Sequence, residues 1–170
     1  MNSTVFKKIE LLANVSIIVV AVLLGFVLVK RFVLPPRPAE PGEDIKVGTK
    51  ISLPDIKWSQ SERNLVLVLQ TGCHFCTESG PFYQHLTRET TAVPNVRLIA
   101  ALPQDVGEAS QYLNGLGVTV NEIRQAPPSS LGVRGTPTLL LVDNTGTITD
   151  VWIGKLSPER QAEVLRRLKS

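Results

Sequence analysis

Nineteen consecutive uncharged residues, Leu11 to Val29 (LLANVSIIVVAVLLGFVLV), constrain this chain more than any other feature. Sixteen of them are apolar, and only Asn14, Ser16 and Gly25 interrupt the run. As a helix rising about 1.5 Å per residue, the segment would span roughly 28 Å, close to the ~30 Å hydrocarbon core of a bilayer. Lys7 and Lys8 precede it and Lys30 and Arg31 end it, positions from which long basic side chains reach lipid headgroups. A buried core helix would be shorter and show a polar face, which this run lacks. A cleaved signal peptide would have an apolar stretch of about 7 to 15 residues and an A-x-A-like cleavage site. The following sequence, KRFVLPPRPAEPG, has no such site. The expectation is a flank at residues 1–10 and an uncleaved transmembrane anchor at 11–34. Basic groups stand on both sides of the run, so the charge rule does not decide its orientation.

The anchor region also holds the net charge. The chain totals +3, and residues 1–34 carry all of it, with four basic groups against Glu10. Residues 35–170 are balanced, which argues against a nucleic-acid surface, because such a surface needs a basic stripe on the folded part. Two cysteines exclude a multi-bridge secreted scaffold, and an apolar content of 43% excludes disorder.

Residues 35–46, PPRPAEPGEDIK, contain four prolines and no apolar periodicity, so they read as a semi-rigid spacer. Residues 47–170 read as one compact domain. Strands are expected at Leu65 to Gln70, Val96 to Ala101, Thr138 to Val142 and Thr147 to Ile153, with a turn at Asp143 to Gly146. Helices are expected from about Cys73 to Thr90, near Val106 to Leu116, and from Pro158 to Leu168. The stretch around Pro127 and Pro128 reads as irregular. The runs at 65–69 and 138–142 do not alternate, which marks strands covered on both faces and predicts helices on both sides of the sheet. Ser157 and Pro158 supply an N-cap and a first-turn proline for the last helix, on which Ala162, Val164, Leu165 and Leu168 can share a face.

Both cysteines lie in one motif, Cys73-His74-Phe75-Cys76, where a buried strand passes through Thr71-Gly72 into a helix. A helix start offers unpaired N–H groups that stabilise a thiolate. The two-residue spacing lets the second sulfur approach the first closely enough for a disulfide. In such motifs the thiol pKa falls from about 8.5 into the range ~3.5 to 7.5. Two inert buried cysteines would not account for the pairing at a strand-to-helix junction. A zinc site needs about four ligands, and only His74 and His85 could join the thiols. Haem attachment would need histidine at position 77, which is Thr77.

With these residues the domain resembles the thioredoxin superfamily, in particular its membrane-anchored TlpA-like branch. Val133-Arg134-Gly135-Thr136-Pro137 followed by Thr138 to Leu141 looks like the stretch around the family's cis-proline. Asp143-Asn144-Thr145-Gly146, a strand, Gly154-Lys155-Leu156-Ser157 and a closing helix resemble its ending, and Pro81 falls where its active-site helix kinks. The resemblance implies a thioredoxin-like α/β fold, a mixed central sheet flanked by helices, behind one N-terminal transmembrane helix. It implies Cys73 as nucleophile, Cys76 as resolving thiol, a cis peptide at Pro137, substrate pairing by the backbone of Thr136, and tuning of the thiolate by His74. The sequence departs from the family in four places. Gly72 replaces a tryptophan and Leu67 a buried acid, Phe75 replaces a proline, and Ser79 stands where TlpA-like proteins carry glutamate. Glu78 reads as a solvated first-turn acid.

The implied function is membrane-tethered thiol-disulfide exchange with protein thiols and disulfides. It needs no cofactor beyond the redox-active Cys73–Cys76 disulfide, no metal and no nucleic acid. The expected location is the bacterial inner membrane, with the domain on the periplasmic side. A redox-inert binding or assembly module, and a copper or cytochrome maturation factor, stand as alternatives.

Overall fold

The computed structural model describes residues 45–169 together with Ser16, Val20 and Val22, three exposed helical positions. The chain divides into two units, residues 1–40 and 41–170. The expected anchor at 11–34 and most of the spacer lie outside the described residues, apart from those three positions. Among the described residues no helix is long and apolar enough to cross a membrane.

The second unit is built on a five-stranded sheet ordered β3-β2-β1-β4-β5. Its strands are β1 (Arg63–Val68), β2 (Val96–Leu102), β3 (Glu122–Gln125), β4 (Thr138–Asp143) and β5 (Ile148–Ile153). β1, β2 and β3 pair in parallel, while β4 runs antiparallel to β1 and to β5, making the sheet mixed. Four α-helices accompany it: α1 (His74–Glu78), α2 (Gly80–Ala92), α3 (Val106–Gly115) and α4 (Pro158–Lys169).

The non-alternating strand sequences produce two cores. Leu65, Leu67, Leu69, Leu98, Leu102, Leu139 and Leu141 face α2, α3 and α4, whose Tyr83, Leu86, Ala109, Leu113, Val164 and Leu168 complete that cluster. Val66, Val68, Ile99, Leu140 and Val142 face the other way, against Ile51, Leu53, Leu131 and Val133. The sheet is therefore flanked by α-helices on one face. Extended segments and the 3-10 turn Pro128–Leu131 flank the other. The reason is handedness. β1-α-β2 and β2-α-β3 step outward in the same direction, and right-handed crossovers then place α2 and α3 on one side.

Three further differences from the sequence reading have local causes. The expected helix over 73–90 is two helices meeting at Ser79, because Pro81 has no N–H with which to continue the first. The edge strand β3 arises from a stretch with one strongly apolar residue, Ile123. Ion pairs of Glu122 with Arg97 and Arg124 flank it, and Asn121 N–H to Leu98 O (2.8 Å) and Ala126 N–H to Leu102 O (2.7 Å) brace its ends. In α4, Val164 and Leu168 are buried and Ala162 is exposed, so the apolar stripe is narrower than expected. Bonds from Arg167 to Asp150 (2.9 and 2.8 Å) and from Lys169 to Glu89 (2.7 Å) dock this helix on β5 and α2.

The β4–β5 turn is held by Asp143 Oδ1, which accepts from the N–H groups of Thr145 (2.8 Å) and Thr147 (2.9 Å). Gly146 sits there at φ +84 with the Trp58 indole so close that an added Cβ would lie 2.8 Å from Cδ1. Gly146→Ala should lower the unfolding free energy by about 1–3 kcal/mol through backbone strain and this clash. Urea denaturation measures the loss, and a variant as stable as the parent would contradict the packing described.

Candidate active site

Val68 of β1 lies opposite Thr138 of β4. The segment leaving β1 and the segment entering β4 therefore meet at one end of the sheet. This register brings residues 69–73 beside residues 133–137, although 63 positions separate Cys73 from Thr136. The Thr136–Pro137 peptide is cis.

Gly72 turns the chain out of the sheet at φ +75, a conformation L side chains rarely adopt. That backbone requirement explains why glycine rather than a large aromatic precedes Cys73. Cys73 then caps α1 in an extended conformation, and its sulfur accepts a hydrogen bond from the Cys76 N–H at 3.2 Å. The same sulfur lies 3.4 Å from the Thr136 carbonyl oxygen. Cys76 is fully buried and Cys73 half-buried. The two form a disulfide with Cα atoms 5.2 Å apart, inside the usual span for such bonds. An amide N–H aimed at a sulfur favours its thiolate form. Because α1 has only five residues, its macrodipole is small and this direct contact is the main local stabiliser.

The site is braced from the far side of the sheet. Gly154, after β5, donates its N–H to the Pro137 carbonyl at 2.7 Å, and Thr138 Oγ1 donates to Gly135 O at 2.8 Å. The next residue, Lys155, reaches Glu78 Oε2 at 2.9 Å, and Glu78 Oε1 lies 3.1 Å from His74 Nε2. These polar contacts tie α1 to the loop after β5 that braces the cis-proline. The sequence reading took Glu78 as solvated and missed Lys155, which lies 77 positions away and leaves no local signal. The Lys155 hydrogen bond, helped by the field of His74, holds the Glu78 carboxyl below its ordinary value against a smaller opposing effect of desolvation.

Of the five residues expected to form the site, Cys73, Cys76, Thr136 and Pro137 come together directly. His74 is adjacent but differently engaged. Its side chain is 78% exposed and its Nε2 pairs with Glu78, whereas the polar neighbours of the Cys73 sulfur are the Cys76 amide and the Thr136 carbonyl. Phe75 is also exposed, at 54%, with its ring 5.7 Å from that of His74. Leu67 is fully buried in the same apolar cluster as Cys76.

No protein-family model matches this sequence, and no curated protein matches it either. Solved structures do. A Chlorobium tepidum protein assigned to the thiol:disulfide interchange proteins of the DsbE type superposes with a TM-score of 0.58 at 19% identity, covering 74% of this chain and 96% of its own. The domain has a thioredoxin-like fold. A thiol:disulfide interchange protein from Bacteroides sp. matches this thioredoxin-like domain with a TM-score of 0.56 at 14% identity, over 76% of this chain and 93% of the other. A second Chlorobium tepidum interchange protein of the thioredoxin family gives 0.55 at 17% identity, over 75% and 97%. The cysteine pair of the thioredoxin-like domain, its cis-proline and the Gly154 brace all lie at one end of the sheet.

Because the Glu78 carboxyl titrates below its unfolded value, the stability it brings is present above the unfolded value and is lost as pH falls through the folded one. Glu78→Gln should therefore lower the melting temperature slightly at neutral pH and leave it unchanged at about pH 2, where both side chains are neutral. Raising the salt to about 1 M should shrink the neutral-pH difference. Paired thermal scans measure this, and a difference equal at both pH values would contradict the ion-pair role.

Proposed function

We propose that this protein is a membrane-tethered thiol-disulfide oxidoreductase that exchanges disulfides with protein substrates. The observation that carries this reading is the half-exposed Cys73 sulfur, held between the Cys76 amide and the Thr136 carbonyl and joined to the buried Cys76. In the reducing direction the Cys73 thiolate attacks a substrate disulfide R–S–S–R′. A Cys73–S–S–R bond forms, and R′–S⁻ leaves and takes a proton. Cys76 then attacks the Cys73 sulfur, closing the Cys73–Cys76 disulfide and releasing R–SH. Two electrons pass from the dithiol to the substrate, and oxidation of a substrate dithiol runs the same steps backwards.

In this reading the backbone of Thr136 pairs with the substrate segment as an added strand, and Pro137 keeps an N–H away from the sulfurs. His74, held on its helix by Glu78, is the neighbour of Cys73 in the motif through which the thiolate is tuned. The resemblance of the fold to thiol:disulfide interchange proteins supports the same chemistry. The uncharged run at 11–29 supports attachment to a membrane, and attachment to the bacterial inner membrane with the domain on the periplasmic side fits dithiol work in an oxidising compartment.

Cys76→Ser should accumulate proteins disulfide-linked through Cys73, seen as reductant-sensitive bands in non-reducing gels, and Cys73→Ser should abolish them. The parent protein should also reduce insulin or oxidise a reduced test protein. Failure of both assays, with no Cys73-linked adduct from a Cys73 that still alkylates, would sink the exchange mechanism and favour a redox-inert module.

A further inference from the structure

A closed circuit of contacts starts and ends at the Cys73 sulfur. His74 follows Cys73 in the chain, and its Nε2 lies 3.1 Å from Glu78 Oε1. The other carboxylate oxygen, Oε2, accepts from Lys155 Nζ at 2.9 Å. Gly154, which precedes Lys155, donates its N–H to the Pro137 carbonyl at 2.7 Å. Thr136, which precedes Pro137, puts its own carbonyl oxygen 3.4 Å from the Cys73 sulfur. Stretches 73–78, 136–137 and 154–155, far apart in sequence, are joined in this circuit.

Its two sides differ in how firmly they are held. Residues 136–137 and 154–155 adjoin the sheet where Thr138 of β4 lies opposite Ile153 of β5, and the Gly154–Pro137 bond continues that pairing. The other side is α1, which has only five residues. It is closed by Thr77 N–H on Cys73 O and Ser79 N–H on Phe75 O, each at 3.1 Å, before the chain breaks into α2 at Ser79. Glu78 is the last residue of α1, so its contact with Lys155 fastens that end of the helix to the sheet-held loop. Both side chains reach solvent, where an ion pair adds little to folding stability. What this pair does is link the side of the circuit that carries both cysteines to the side that carries Thr136.

We propose that Lys155 and Glu78 are positioning residues for exchange with polypeptide disulfides. Their contact fixes the Thr136 backbone relative to the Cys73 sulfur, so that a substrate segment pairing on Thr136 brings its disulfide to that sulfur. The inference rests on the exchange reading above and narrows its substrates to disulfides carried by an extended segment. Such a segment needs the sulfur and a strand partner at a fixed separation, and a misplacement of about 1 Å between them is costly in rate. A small disulfide has no strand to pair and needs the sulfur alone.

The test compares two reactions of the reduced full-length protein. One is with the small aromatic disulfide dithiobis-nitrobenzoate, followed by thionitrobenzoate release. The other is with an uncharged peptide that carries one disulfide and is long enough to form a strand, followed by mass after acid quenching. In Lys155→Met the rate constant with the peptide should fall relative to that with the small disulfide by roughly three- to fivefold, the size an exposed ion pair supports. Glu78→Gln should show the same relative loss, and the double variant no more than either alone, because the same contact is removed each time. Lys155→Arg should keep the parent's ratio. If Lys155→Met does not fold, the Glu78→Gln ratio decides. An unchanged ratio, losses that add in the double variant, or a Lys155→Arg protein as impaired as Lys155→Met would overturn the positioning role. A parent that reacts with neither disulfide would instead overturn the exchange reading itself.

Discussion

The hydrogen bond from the Cys76 amide to the Cys73 sulfur depends on most of the fold around it. It forms because the turn after β1 carries Gly72 at positive φ, which redirects the chain so that Cys73 becomes the cap of a new helix. Antiparallel pairing of β1 with β4 then delivers the Thr136 carbonyl to the other side of the same sulfur. The helix is too short for its dipole to matter much. The sulfur is governed by two local backbone groups, and these are placed by sheet register rather than by net charge, which is zero over residues 35–170.

Features whose signal is local were readable in the sequence. The non-alternating runs at 65–69 and 138–142 marked strands buried on both faces, and the structure puts alternate residues of each into different cores. The Cys-x-x-Cys spacing and the Thr136-Pro137 pair marked two segments of the site, which the fold brings into contact. Three features were not legible, each because its cause is non-local. β3 has almost no apolar pattern of its own and exists because β2 offers an edge. Lys155 meets Glu78 only after the sheet closes. His74 sits beside Cys73 in sequence, but once α1 forms it faces Glu78 one turn on, and that pairing decides its geometry.

The departures from the resembling family become intelligible in the same terms. Glycine at 72 is required by the backbone. Leucine at 67 belongs to the apolar cluster that encloses Cys76, and Ser79 carries a hydroxyl three residues on. The two cysteines therefore occupy unlike environments. Cys73 is partly exposed with an amide and a carbonyl at its sulfur, while Cys76 is enclosed in the apolar core. In the proposed exchange the thiol that begins the reaction and the thiol that finishes it need different surroundings, and Cys73 and Cys76 have them three residues apart.

The central claim is that the Cys73 sulfur is held as an activated thiolate. Its most direct test is the pH dependence of alkylation of Cys73 in the reduced full-length protein, with Cys76→Ser as the background that leaves one reactive thiol. The account predicts a thiol pKa well below the ordinary value of about 8.5. A value at or above it would show that the Cys76 amide does not stabilise the thiolate, and would contradict the account.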